Sequence, residues 1–176
     1  MAAGSARGGS RADLQPFLRR AAELGAARAR VIRVKSVVVA EWVRWKCRYG
    51  CGGWGRRLTC PPHSPEPEST RRLLAGYRRA ILLEAGHGEV RKIIPALERE
   101  VFLYGFHKAF GLGSGPCSLC PICPATGLCR HPDLARPAME ACGIDVFSTV
   151  RAAGWRIQVV RSRAETPRFF GLLLVD

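Results

Sequence analysis

The chain is poor in acidic residues, in lysine and in uninterrupted apolar sequence, and each shortage narrows what it can be. Only 14 of its 176 residues are Asp or Glu, against 28 Lys or Arg, a net charge of +14. A basic balance admits a nucleic acid or an acidic protein as partner without selecting between them. Lysine is confined to Lys35, Lys46, Lys92 and Lys108. The positive charge is therefore mostly arginine, which suits bidentate recognition of phosphate or carboxylate, although richness in Arg, Ala, Gly and Pro also fits a GC-rich genome. No apolar run reaches the ~18 residues of a membrane span, so no membrane partner is expected. Residues Met1–Ser10 are small and basic with no apolar stretch behind them. They read as a disordered tail, not a secretory signal, and a cytoplasmic location is expected. Two phosphate-binding signatures are missing as well. There is no P-loop, and Gly111-Leu112-Gly113-Ser114-Gly115 leads into cysteines where a dinucleotide fingerprint would lead into a helix.

What is present in excess is cysteine, eight in all. In a chain without an export signal these are not expected to pair as disulfides, because the cytosol keeps thiols reduced; short spacings then point to metal or redox chemistry. At 47% hydrophobic residues the remainder is an ordinary globular composition, and one metal-binding domain is expected over residues 11–176.

Periodicity outlines that domain. Asp13 precedes a helical pattern through Leu14, Phe17, Leu18, Ala21 and Leu24, with Gly25 as its stop. Val31 to Ala40 reads as a strand, and Ala80 to Leu83 as a short buried one. Ser64-Pro65 can open a helix through Leu73, Leu74 and Tyr77. Val90, Ile93, Ile94, Leu97, Val101 and Tyr104 mark an amphipathic helix that Pro95 either kinks or delays. Ala109 to Leu112 looks like a strand. Pro137 starts a helix toward Ala153 with a break near Gly143, and Arg156–Val160 and Phe169–Val175 suggest a closing hairpin. Alternating helices and strands argue for an α/β domain, or a mixed α+β one, with a mixed sheet flanked by helices. Each cysteine loop follows a strand, so the two loops are expected together at one edge of the sheet.

The sharper cysteine signal is Cys117-x2-Cys120-x2-Cys123-x5-Cys129. Three thiolates at successive x2 spacings and a fourth farther on suit a [4Fe–4S] cluster. Zinc, which usually takes two separated Cys-x2-Cys knuckles, is the alternative, as is a redox role without metal. The other loop carries Cys47-x3-Cys51-x8-Cys60, followed by Pro61 and Pro62. Three ligands leave one position open, which Cys142 could fill unless it is a small buried hydrophobe. His63 and His131 are weaker candidates. The x8 gap before Cys60 departs from the radical-enzyme pattern, in which the third cysteine follows after x2. Arg44, Lys46, Arg48, Arg56 and Arg57 lie around this loop, where cations stabilise thiolates; a solvated basic face is the plainer reading. Trp42, Trp45, Tyr49 and Trp54 interleave with them, and shielding of a centre from water is favoured over stacking on nucleic acid.

Several stretches together resemble a known family: Cys47-Arg48-Tyr49-Gly50-Cys51, Leu58-Thr59-Cys60-Pro61-Pro62, Gly105-Phe106-His107-Lys108-Ala109-Phe110, Gly115-Pro116-Cys117, Cys129-Arg130, Arg136-Pro137-Ala138-Met139-Glu140-Ala141 and Gly143-Ile144-Asp145-Val146. The pattern is similar to that of the predicted metal-binding proteins catalogued as domain of unknown function 2284, over Leu14 to Leu174. The resemblance implies a cysteine-rich prokaryotic cytoplasmic protein that binds a metal or an iron–sulfur cluster, with the motif cysteines at Cys47, Cys51, Cys60, Cys117, Cys120, Cys123 and Cys129. His63 stands where the family pattern has tyrosine. Three functions stay open at this point. The first is an iron–sulfur protein with one or two clusters, passing electrons to a redox partner protein or sensing redox state. The second is a zinc-stabilised module contacting nucleic acid or an acidic partner. The third is a metalloenzyme with an open site on the first centre.

Overall fold

A computed structural model of the chain describes residues 13–86, 88–124 and 126–176; the tail expected over residues 1–10 lies outside them. Among the described residues the order is α1 (Gln15–Glu23), β1 (Arg28–Arg33), α2 (Glu41–Gly50), α3 (Pro67–Ala75), β2 (Arg79–Ala85), α4 (Val90–Leu103), β3 (Phe110–Leu112), α5 (Val146–Ala152) and β4 (Phe169–Leu174). The strands form one sheet in the order β1-β2-β4-β3. The α/β class holds, but all three strand pairings are antiparallel where a mixed sheet is expected.

Side-chain alternation along the central strands divides the core. Ile81, Leu83, Leu173 and Val175 face α1 and α4, where they meet Phe17, Ala21, Val90, Ile94 and Leu97. Leu82, Leu172 and Leu174 face the opposite way, toward Leu112, Met139, Ile144, Val150 and Trp155. With both faces covered, Ala80, Ile81, Leu82 and Leu83 of β2 form a continuous buried apolar run, as the sequence suggests. The α4 helix lies so close to the sheet that a side chain at Gly171 would meet Val90 Cγ1 at 2.7 Å and Ile94 Cγ1 at 2.8 Å. Pro95 lies inside α4, which runs through it.

The layer opposite α1 and α4 carries Cys142 and the turn on which α2 packs, and here the expected elements change most. The β-branched run from Val31 to Ala40 is not one strand. It leaves the sheet after Arg33 through a 3-10 turn at Val34–Ser36, where Ser36 Oγ donates to Arg33 O at 2.7 Å. Its second half is still extended but pairs elsewhere: Val39 bridges Ile144, and Asp145 N donates to Val38 O at 2.8 Å. The helix expected from Pro137 is a 3-10 turn at Glu140–Cys142, ended by Gly143 at φ 78°. Asp145 then caps α5, its carboxylate accepting from Ser148 N at 3.0 Å. Arg156–Val160 is not a strand. Both edges of β4 are already used, one by β2 and one by β3, so no ladder is left for it there.

Candidate metal centres

Cys47, expected in a loop, lies in the last turn of α2, and Cys51 is the residue that caps that helix. The x3 spacing is thus the i, i+4 spacing of a helix, which puts two thiols on one face. Cys60 comes round to them through a tight loop. A side-chain carbon at Gly53 would lie 3.5 Å from Cys51 Sγ, 3.6 Å from Cys60 Sγ and 3.7 Å from Pro116 Cβ. Two sulfurs of the first loop and the start of the second therefore converge on one space. Burial raises the Cys60 thiol pKa, and the charge of Cys51 raises it further, with smaller contributions from Cys47 and Cys117. Burial likewise raises that of Cys47, followed by Cys51 and Glu140, with Arg44 opposing.

The second loop leaves the end of β3. Cys117, Cys120, Cys123 and Cys129 line one small pocket, which Arg57, Leu58 and Thr59 of the first loop close. The two loops are neighbours, as expected, although the parallel-sheet argument for it does not apply. What joins them is hydrogen bonding. Arg57 Nη1 donates to Cys120 O at 2.6 Å, and Leu58 N points at Cys123 Sγ at 3.4 Å. Two further backbone amides approach sulfurs at the same distance: Gly53 N at Cys51 Sγ and His131 N at Cys129 Sγ. Such donors stabilise thiolate charge and tune a bound cluster. On the far side, Glu98 of α4 accepts from Gly111 N at 2.7 Å and from Arg136 Nε and Nη2, each at 2.6 Å, fastening the exit of the loop to β3.

All eight cysteines are free thiols. Cys142 is buried in the core beside Met139 and Ile144, and burial pushes its pKa up to about 12. It does not line either cysteine pocket. His63 is exposed, and His131 borders the second pocket. Among the described residues, no group of three or more His, Cys, Asp or Glu forms a ready single-ion site.

The basic residues divide. Arg44 is buried, and its guanidinium donates to Ser64 Oγ, Pro65 O, Ala141 O and Glu66 Oε1 at 2.9, 3.3, 2.7 and 2.8 Å. It staples the first loop to the 3-10 turn behind Cys47. Arg57 staples the two loops. Arg48 reaches out over the rings of Trp54 and Tyr49. Trp54 and the exposed Trp42 line the cavity beside the first three cysteines, whereas Trp45 and Tyr49 are exposed away from it.

Glu140, which has no role in the sequence reading beyond its place in a motif, belongs to this site. Its carbonyl accepts from Cys47 Sγ at 3.9 Å, its Oε2 is buried without a partner, and burial raises its carboxyl pKa. A single acidic residue between Met139 and Ala141 gives no signal of this in the sequence.

Among the described residues no helix is long and apolar enough to cross a membrane. The family model of a predicted metal-binding protein, domain of unknown function 2284, matches residues 30–175. No curated protein and no solved structure gives a significant match.

Proposed function

The chain belongs to this family of predicted metal-binding proteins, and on that premise we propose that it is an iron–sulfur protein with two adjacent centres, acting in electron transfer or redox sensing. The observation that carries the reading is the junction of the loops, where seven cysteines line two neighbouring spaces and three backbone amides point at their sulfurs. A set made only of soft thiolates suits iron–sulfur or zinc over hard cations. The three-plus-one spacing of the second loop favours the cluster. In this assignment Cys117, Cys120, Cys123 and Cys129 hold a [4Fe–4S] cluster, which would supply one-electron chemistry. Cys47, Cys51 and Cys60 hold the second centre and leave one position open.

The remaining residues prepare these sites. The amides of Gly53, Leu58 and His131 offset thiolate charge. Arg44 lies close enough to favour the charged form of Cys47. The closeness of Cys117 to Cys60, felt in the Cys60 thiol, suits exchange of electrons between two centres. Cys142 serves packing, since it lines neither space. For a redox partner protein, the second loop offers Ile122 and Leu128, 84% and 91% exposed, as apolar surface to cover. A nucleic-acid role has less support, because Arg44 is buried and the half-buried Arg57 is engaged with the second loop.

Replacing Cys120 with serine tests the ligand assignment. Iron content after anaerobic purification is expected to fall by about half, one of two cubanes being lost. Full iron content in that variant would refute the assignment. Colourless protein carrying stoichiometric zinc would establish the zinc-stabilised module instead.

A further inference from the structure

Beside the first three cysteines lies a cavity of about 820 Å³, within the ~300–1,000 Å³ of small-molecule sites. It is bounded by α2, by α5 and by the irregular segment that carries Ile157, Val159 and Val160. Its walls differ in chemistry. One holds Cys47, Cys51 and Cys60. Another is apolar, with Phe147, Val159, Val160 and Phe169. Val159 and Val160 are 64% and 44% exposed, so apolar surface is left in the open on the segment that borders the cavity.

Charge on the lining is not balanced internally. Asp145 is taken up in capping α5 through Ser148 N and Ser148 Oγ, the latter at 2.6 Å. Arg168 is paired with Glu84 at 3.6 Å. Lys46 and Arg151, in contrast, have no carboxylate partner among the described residues; they rest over the rings of Trp42 and Phe147 at 5.4 and 5.7 Å. A cation held against an aromatic face beside an apolar wall is placed to meet an anion whose body packs on that wall.

We infer that this cavity binds one small amphipathic organic anion. Its charged end lies toward Lys46 and Arg151, and its apolar body lies along Phe147 and Val159. So placed, the ligand lies against the three-cysteine wall. The part of the inference that concerns the open position of the first centre rests on the iron–sulfur reading; the part that concerns binding does not.

Anilinonaphthalene sulfonate has fused rings and an anionic group, and is the probe of choice. Titrated into the native, anaerobically purified chain, it is expected to give saturable fluorescence at one molecule per chain. The pair Lys46→Glu and Arg151→Glu is expected to weaken binding about tenfold or more. The pair Arg161→Glu and Arg163→Glu changes charge equally on the same surface segment but lies off the cavity, and is expected to leave binding unchanged. Unaltered thermal melting of both pairs shows that neither result comes from unfolding. No saturable binding, or equal weakening by the two pairs, would overturn the inference. Iron and visible absorption measured on the same sample report separately on the metal: a zinc protein that still binds the dye here refutes the cluster and leaves the cavity assignment standing.

Discussion

Arg57 Nη1 in the first cysteine loop donates to the carbonyl oxygen of Cys120 in the second, at 2.6 Å. With Leu58 N pointing at Cys123 Sγ one residue later, this makes the first loop part of the wall of the second site. Two adjacent residues thus tie the loop of three cysteines to the loop of four.

The Arg57→Ala variant should therefore loosen the second site without unfolding the domain. Hydrogen bonds to a charged donor contribute ~1.5–3 kcal/mol, so iron should be released to a chelator about tenfold faster, with a small change in melting temperature. Arg57→Lys should recover only part, since the guanidinium also reaches Pro121 O at 3.5 Å. Unchanged release kinetics would show that the junction does not support the site.

Arg44 should behave differently, as a matter of stability. It is buried and has four acceptors in two separate segments. Arg44→Met removes a buried guanidinium and its four hydrogen bonds, while the Ser64 hydroxyl still donates to Ala141 O at 2.6 Å. Hydrogen bonds made by a charged donor contribute ~1.5–3 kcal/mol, so a loss of about 2–3 kcal/mol is expected. Denaturant unfolding of the wild type and the variant measures the difference. If Arg44 were one more solvated cation of a nucleic-acid face, the midpoint would not move.

The thiol of Cys142 predicts an alkaline effect. Burial, partly offset by Arg44, lifts its pKa from 9.0 to about 12. The folded chain thus holds this proton more tightly than the unfolded chain does. The associated stability is complete below about pH 9 and is lost as the pH rises toward 12. In metal-free protein Cys47 and Cys60 act in the same direction, so Cys142→Ala should lower the alkaline slope without abolishing it. The same variant should keep its full iron content. A variant with the wild-type slope, or with depleted iron, would contradict the placement of Cys142 in the core.

How much of this was legible in the residues depends on how local the cause is. The apolar run of β2 and the 3.6-residue period of α4 depend on nearby residues and are readable. So are the ligand spacings of the two loops, because metal geometry acts over a few residues. The α2 helix is not: Trp42, Trp45, Lys46, Cys47 and Arg48 disguise an amphipathic pattern whose buried side is Val43 and Arg44. The directions of the strands depend on which edges pair, and β4 inserts between β2 and β3 from the far end of the chain. The burial of Arg44 needs acceptors from residues 64–66 and from Ala141, and nothing near position 44 announces them. Val37 to Val39 show the same limit, since their β-branched side chains do favour an extended backbone but the pairing partner is Ile144.

The most direct test of the account is metal analysis of anaerobically purified protein. Two cubane clusters predict about eight iron and eight acid-labile sulfide per chain, with broad visible absorption that bleaches on reduction. Colourless protein with stoichiometric zinc and no sulfide would contradict it.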